Sequence, residues 1–192
     1  MKILTRLIII SLVLGLASWV LIQVPSVQDR ILVAAFSAIG SASNNLPKED
    51  ALSVAVCGSR SPLPSPGRAE TCLLIAAGDD LFVVDIGDGS NDNLRSWNVN
   101  FRNIKAVLIT HLHSDHIADL PGLHQNAWVV GQRSSKLKVF GPEGIEQFTQ
   151  GVEMAYAHDY VFRNEHHGDE IAPLEYAGCL LYTSPSPRDR VL

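Results

Sequence analysis

Thr110-His111-Leu112-His113-Ser114-Asp115-His116 places three imidazoles and a carboxylate within six residues, directly after the apolar run Ala106-Val107-Leu108-Ile109. Side chains two apart on an extended backbone point the same way. His111 and His113 can therefore grip one metal ion from the end of a strand. Asp115 and His116 follow where the chain turns, and can reach a second ion nearby. Nitrogen and oxygen donors without a thiolate suit Zn²⁺, with Mn²⁺ or Fe as alternatives. Structural zinc sites usually contain cysteine. This cluster has none, which favours a catalytic centre with an open coordination position over a solvated histidine-rich loop.

The elements that must carry these groups are legible as patterns. Leu52–Val56 alternates like a strand, and a loop rich in Pro and Gly runs from Gly58 to Gly67. Glu70–Ala76 reads as a second strand, Gly78-Asp79-Asp80 as a hairpin turn, and Leu81–Val84 as a third strand ending at Asp85. Asn91–Trp97 forms a short helix, and Lys105–Ile109 is the fourth strand, which delivers the histidines. Asp119–Val130 reads as helical and Leu137–Phe140 as a fifth strand. Gly144–Tyr156 is a helix with Ile145, Phe148, Val152 and Tyr156 on one stripe. Strands followed by strand–helix alternation give a layered α/β architecture.

The histidine signature resembles the HxHxDH motif of the metallo-β-lactamase superfamily. Cys57-Gly58-Ser59-Arg60-Ser61-Pro62, Arg68, Phe82–Gly89 and Ile109–Gly122 together resemble its ribonuclease Z and arylsulfatase-like branch. The resemblance implies an αββα sandwich of which residues 51–178 form the N-terminal half. It assigns His111 and His113 to one metal and Asp115 and His116 to the other, with two Zn²⁺ as cofactors and Asp115 as the catalytic residue. It gives Asp85 the task of orienting a histidine N–H, whereas a turn Asp capping its own backbone is the plain alternative. The family's remaining His, Asp and His ligands are expected after Gly178. Arg60 stands where the branch usually has the middle glycine of its first loop, so loop shape or substrate contacts should differ there. Weaker candidates are Asp119 as a helix cap, and His124, His166 and His167 as ligands. His158 reads as a surface residue.

Both ends of the chain are read apart from the domain. Lys2 and Arg6 precede an apolar run from Leu7 to Val24, 18 residues long and stopped by Pro25. That is the lower edge of a membrane span. Residues 1–25 are read as an uncleaved anchor, with a cleaved signal as the alternative; Ser41-Ala42-Ser43 lies late for a cleavage site. Either reading places the domain on the extracytoplasmic (periplasmic) side, or secretes it, because the basic residues stay inside. Residues 26–50 read as an amphipathic helix (Val27, Ile31, Leu32, Ala35, Phe36, Ile39) and a polar linker. Residues 179–192 read as foreign to the domain, since Cys179–Asp189 resembles an in-frame translation of a transposase-type sequencing adapter; a Pro-rich natural tail is the alternative.

The formal net charge is −5, and −6 without the tail residues Arg188, Asp189 and Arg190. That balance supplies no basic footprint for nucleic acid. Cys57 and Cys72 are read as two small buried hydrophobes, with a disulfide as the alternative open to an exported chain. The function expected is metal-assisted hydrolysis of a small ester: a phosphodiester, a sulfate ester or a lactone. Ribonuclease Z-like cleavage of precursor tRNA is the runner-up, because such RNA is cytoplasmic. A non-catalytic metal-binding module is the alternative of another class. Residues 1–178 alone are expected to be inactive and to leave a sheet edge open and an apolar face uncovered.

Overall fold

Period-two hydrophobicity in the strands and longer apolar stripes between them produce one mixed sheet with helices against it. A computed structural model describes residues 2–40 and 51–183 of the chain. The strands are β1 (Leu52–Gly58), β2 (Cys72–Ala77), β3 (Asp80–Val84), β4 (Ile104–Leu108), β5 (Leu137–Gly141) and β6 (Cys179–Thr183), side by side in sequence order. β1, β2 and β3 form an antiparallel meander, and β3 through β6 are parallel. Parallel neighbours require crossovers. These carry α3 (Ser90–Ser96) between β3 and β4, α4 (Ser114–Ile117) and α5 (Leu120–Gln125) between β4 and β5, and α6 (Ile145–His167) between β5 and β6. Residues 126–130 continue α5 as a single π-helical turn.

One face of the sheet is buried from β2 to β5 and half-buried on β1. Leu74, Val83, Val107 and Val139 are in lateral register, and Leu94, Leu120, Leu123 and Ile145 from the helices cover them. The other face carries Ile75 and Phe82, half-buried, and the edge residues Leu52, Val54 and Val56, which are 74%, 59% and 58% exposed. The expected apolar face is thus present on β1, among the described residues.

Several boundaries differ from the sequence reading. α6 runs eleven residues past Tyr156, because nothing breaks it before Gly168 and Tyr160 extends the buried stripe by one more turn. The sheet continues through Cys179–Thr183, where the sequence patterns place the end of the domain at Gly178. Cys57 and Cys72 are not independent buried hydrophobes: they form a disulfide. A register shift between Val56 and Gly58 brings Cys57 beside Cys72, with Cα atoms 5.0 Å apart, inside the range a disulfide spans.

At the N-terminus, α1 (Lys2–Ile22) contains an 18-residue span, Thr5–Ile22, long and apolar enough to cross a membrane by length and composition, with all of its side chains exposed. Pro25 opens α2 (Pro25–Gly40), a position that tolerates its missing N–H. The expected amphipathic stripe is only partly used. Leu32 and Val33 pack on a second core of Trp128, Tyr160 and Ile171, while Ile31 faces away. The polar linker at 41–50, Ser41-Ala42-Ser43 and the tail at 184–192 lie outside the described residues, as do the side chains of Phe36 and Ile39.

Replacing Val54 and Val56 together by Thr is expected to lower the fluorescence of a bound hydrophobic dye while leaving the unfolding free energy within about 0.5 kcal/mol of the parent. A large fall in stability would mean that this face is covered.

Candidate metal centre

The carboxyl ends of adjacent parallel strands are where open α/β sheets place their sites. β3 and β4 end side by side, and Asp85 N–H continues their pairing by donating to Leu108 O at 3.0 Å. Asp85 is 4% exposed and sits in the left-handed region at φ 56, which Asp tolerates better than most residues. That turn directs its carboxylate at the loop following β4.

The proton inventory of this loop follows from one fact: a carboxylate only accepts. Asp85 Oδ1 accepts from Thr110 N–H at 2.8 Å, and Oδ2 lies 2.8 Å from Thr110 Oγ1 and 2.8 Å from His116 Nδ1. His116 therefore carries its proton on Nδ1 and leaves a lone pair on Nε2. The Thr110 hydroxyl spends its proton on Asp85, so Oγ1 accepts from His111 Nδ1, 3.1 Å away. His111 likewise keeps a lone pair on Nε2. These tautomers are assigned from the network.

The freed nitrogens turn toward neighbouring donors. His111 Nε2 lies 3.0 Å from His113 Nδ1, and the His111 and His116 rings are 3.9 Å apart at their centroids. Two nitrogens that bind one Zn²⁺ at about 2.0–2.1 Å stand about 3.3–3.4 Å apart in tetrahedral geometry, so this pair would hold one ion after opening by a few tenths of an ångström. His116 Nε2 lies 3.6 Å from Asp115 Oδ2, the second pair, and Asp115 is buried on the single turn of α4. Among the described residues no three His, Cys, Asp or Glu groups are placed to hold one ion. The donors come as two pairs, each short of the three protein ligands usual in catalytic zinc sites.

The weaker candidates resolve differently. His124 is buried with both ring nitrogens engaged: Nδ1 donates to Pro121 O at 2.6 Å, and Nε2 accepts from Tyr160 O–H at 2.9 Å. It is a core histidine, and burial pushes its pKa below the ordinary value. Asp119 does not cap its own helix α5; its Oδ2 accepts from Asn91 N–H in the first turn of α3, at 3.0 Å. Burial raises its pKa, against that hydrogen bond. His166 and His167 occupy the last turn of α6, in ring contact with each other. His158 is exposed.

The sequence patterns mark neither Thr110 nor Glu70 as a functional group; Glu70 reads only as the start of a strand. Glu70 is 8% exposed and lies beside the loop that carries Asp85. The available signal was an acidic residue immediately before an apolar strand, a position that burial would otherwise disfavour.

A mixed sheet with a His/Asp loop at its carboxyl edge defines a layered α/β protein whose loop carries donors suited to a divalent metal. The family model of the metallo-beta-lactamase superfamily matches residues 65–191, which include the whole loop and Asp85. The chain belongs to that superfamily. It is 36% identical over 124 residues to proteins named Ribonuclease Z from Mycobacterium bovis (strain BCG / Pasteur 1173P2) and from Mycobacterium marinum (strain ATCC BAA-535 / M). Each alignment covers 64% of this chain and 44% of the relative, so the chain spans less than half the length of these curated relatives. A long form RNase Z from yeast has a similar fold, with a TM-score of 0.53 at 16% identity, over 74% of this chain and 20% of that one.

Two measurements test the centre. Asp85→Asn removes one of the two acceptor oxygens, so in the metal-free protein the His116 ring is expected to shift from the Nδ1–H toward the Nε2–H form. Long-range proton–nitrogen NMR correlations read that directly, and an unchanged ring would refute the inventory. For His124, the folded pKa lies below the unfolded value of about 6.5, so the unfolded chain takes up the proton first as pH falls. Its contribution is present above about pH 6.5 and is lost below it. His124→Gln is expected to give a shallower loss of stability between about pH 6.5 and 5, measured by urea denaturation.

Proposed function

We propose that the complete protein is a metal-dependent phosphodiesterase acting on RNA, the activity carried by the name of its curated relatives. The observation that supports it within this chain is the Asp85 carboxylate, which sets two imidazole tautomers so that both Nε2 atoms face other donors. In this reading His111 and His113 hold one divalent ion, and Asp115 and His116 hold the other. Zn²⁺ suits the donor set, with Mn²⁺ or Fe as alternatives. Bound there, such ions supply Lewis acidity to a phosphoryl oxygen and a nucleophilic water near neutral pH.

The chain's own groups supply the rest. Asp115 orients the attacking water and takes its proton at Oδ1, leaving Oδ2 beside His116 Nε2 for the ion. Asp85 and Thr110 hold the rings in place, which avoids reorganisation as charge develops. The buried face of β3 and β4 beneath the loop keeps bulk water from its base.

A second reading, hydrolysis of a small phosphodiester, sulfate ester or lactone outside the cytoplasm, is favoured by the Cys57–Cys72 disulfide and by the apolar helix α1. Disulfides persist in oxidising compartments. Precursor tRNA is found elsewhere, and a net charge of −5 adds no electrostatic pull on RNA.

The full-length protein, loaded with Zn²⁺, should cleave precursor tRNA and lose activity at least about 100-fold in His111→Ala or Asp115→Ala, more than loss of an outer hydrogen-bonding partner costs. Chelation should abolish activity and Zn²⁺ should restore it. Cleavage of small esters but not RNA, with the disulfide intact in mass spectra of the cellular protein, would establish the second reading instead. Metal uptake with no turnover of any ester would make the protein a binding module.

A further inference from the structure

Glu70 is a buried carboxylate that the proposed chemistry does not use, and every polar group it has is engaged. Its Oε1 lies 3.3 Å from Arg60 Nη2, and its Oε2 accepts from Asp88 N–H at 3.0 Å. Its N–H donates to Asp88 O at 2.8 Å, and its C=O accepts from Ser90 Oγ at 2.8 Å. Arg60 Nη2 also reaches Asp88 Oδ2 at 3.2 Å, and its Nε donates to Arg68 O at 3.0 Å. The Arg60 side chain is only 15% exposed. A guanidinium that engages two carboxylates and a carbonyl is a fixed fork, a geometry Lys does not reproduce.

This cluster stands one residue away from the metal loop. Gly87 separates them: a Cβ there would lie 2.4 Å from Glu70 Cβ and 2.1 Å from Asp115 O. Glu70 Cβ and the Asp115 main chain therefore crowd the same bare flank of Gly87, where a side chain would stand. Its neighbour Ile86 donates to His116 O at 2.8 Å, and Gly87 N–H donates to Thr71 O at 3.0 Å. A shift of Glu70 is thereby passed to the main chain of Asp115 and His116, beside the hold that Asp85 has on the His116 ring.

We propose that Arg60 and Glu70 are positioning residues for the second donor pair: their ion-paired latch presses Glu70 against Gly87 and so fixes where Asp115 Oδ2 and His116 Nε2 stand. The proposal rests on the metal reading of that pair. It gives Arg60 a function at a position where the resembling branch carries glycine. A glycine leaves the loop after β1 free to move, whereas Arg60 ties that loop to the turn behind the centre. The first pair, His111 and His113, is held through Thr110 instead and lies outside the latch.

The test is a stepwise Co²⁺ titration of the full-length protein, followed by visible absorption, with His113→Ala and His116→Ala identifying which step belongs to which pair. Arg60→Gly and Glu70→Gln should weaken the Asp115/His116 step about 10–100-fold and move the His111/His113 step less than about threefold. Arg60→Lys, a milder change for the case where the others fold poorly, should recover part of the loss. In the metal-free protein the His116 Nδ1–H resonance should shift in the same variants. Equal weakening of both steps, or a lower melting temperature with both affinities intact, would overturn the latch. A parent protein that takes up no Co²⁺ would overturn the metal reading. The His116 resonance then judges the latch alone: unmoved in the variants, it refutes it.

Discussion

The architecture around the loop depends on one buried carboxylate meeting three donors. Asp85 sits where two parallel strands end, and takes hydrogen bonds from Thr110 N–H, Thr110 Oγ1 and His116 Nδ1. A buried carboxylate with fewer partners would be costly. Here the partners also determine what the histidines can do. Because the carboxylate cannot donate, each proton nearby has one available direction, and two ring nitrogens are left bare as a result. The left-handed backbone at Asp85 aims the carboxylate, and the strand pairing from Asp85 N–H to Leu108 O holds that backbone.

Around that carboxylate the polar groups form successive layers separated by close main-chain contacts. The His/Asp loop lies on Ile86 and Gly87, these lie on Glu70 and Thr71, and those in turn pack on the loop that carries Arg60. The Cys57–Cys72 disulfide joins the two strands from which the outermost layers emerge. Tight packing transmits position because interiors have few voids to absorb a shift. A bare glycine at 87 is what allows the layers to approach so closely.

Much of this was legible in the residues. Alternation located β1, and apolar runs bounded by turn residues located β2 to β5, including the strand that carries the histidines. The loop's four donors were visible as a spacing. Other features depend on long-range contact and had no local signature. Asp119 lies just ahead of a helix it does not cap, because Asn91 from a distant turn supplies a better donor. His124 resembled a ligand by its distance from His116, but the Tyr160 hydroxyl and the Pro121 carbonyl claim both nitrogens. The two cysteines are brought together by a register shift that periodicity cannot show. The length of α6 was underestimated because its final turns are polar, and only Tyr160 marks the continuing stripe.

The four donors of the loop fall within six residues of the chain, and this bears on the order of assembly. Bringing them together closes no long segment, so it carries little loop-closure entropy. The crossover that brings Asp85 onto them is short, running from β3 through α3 to β4. As the chain leaves the ribosome, these four donors and Asp85 can gather once β4 pairs with β3, while each pair is still short of the three protein ligands usual in catalytic zinc sites. An ion held by these donors would be a cross-link acquired early, so metal supply would influence the yield of folded protein as well as its chemistry.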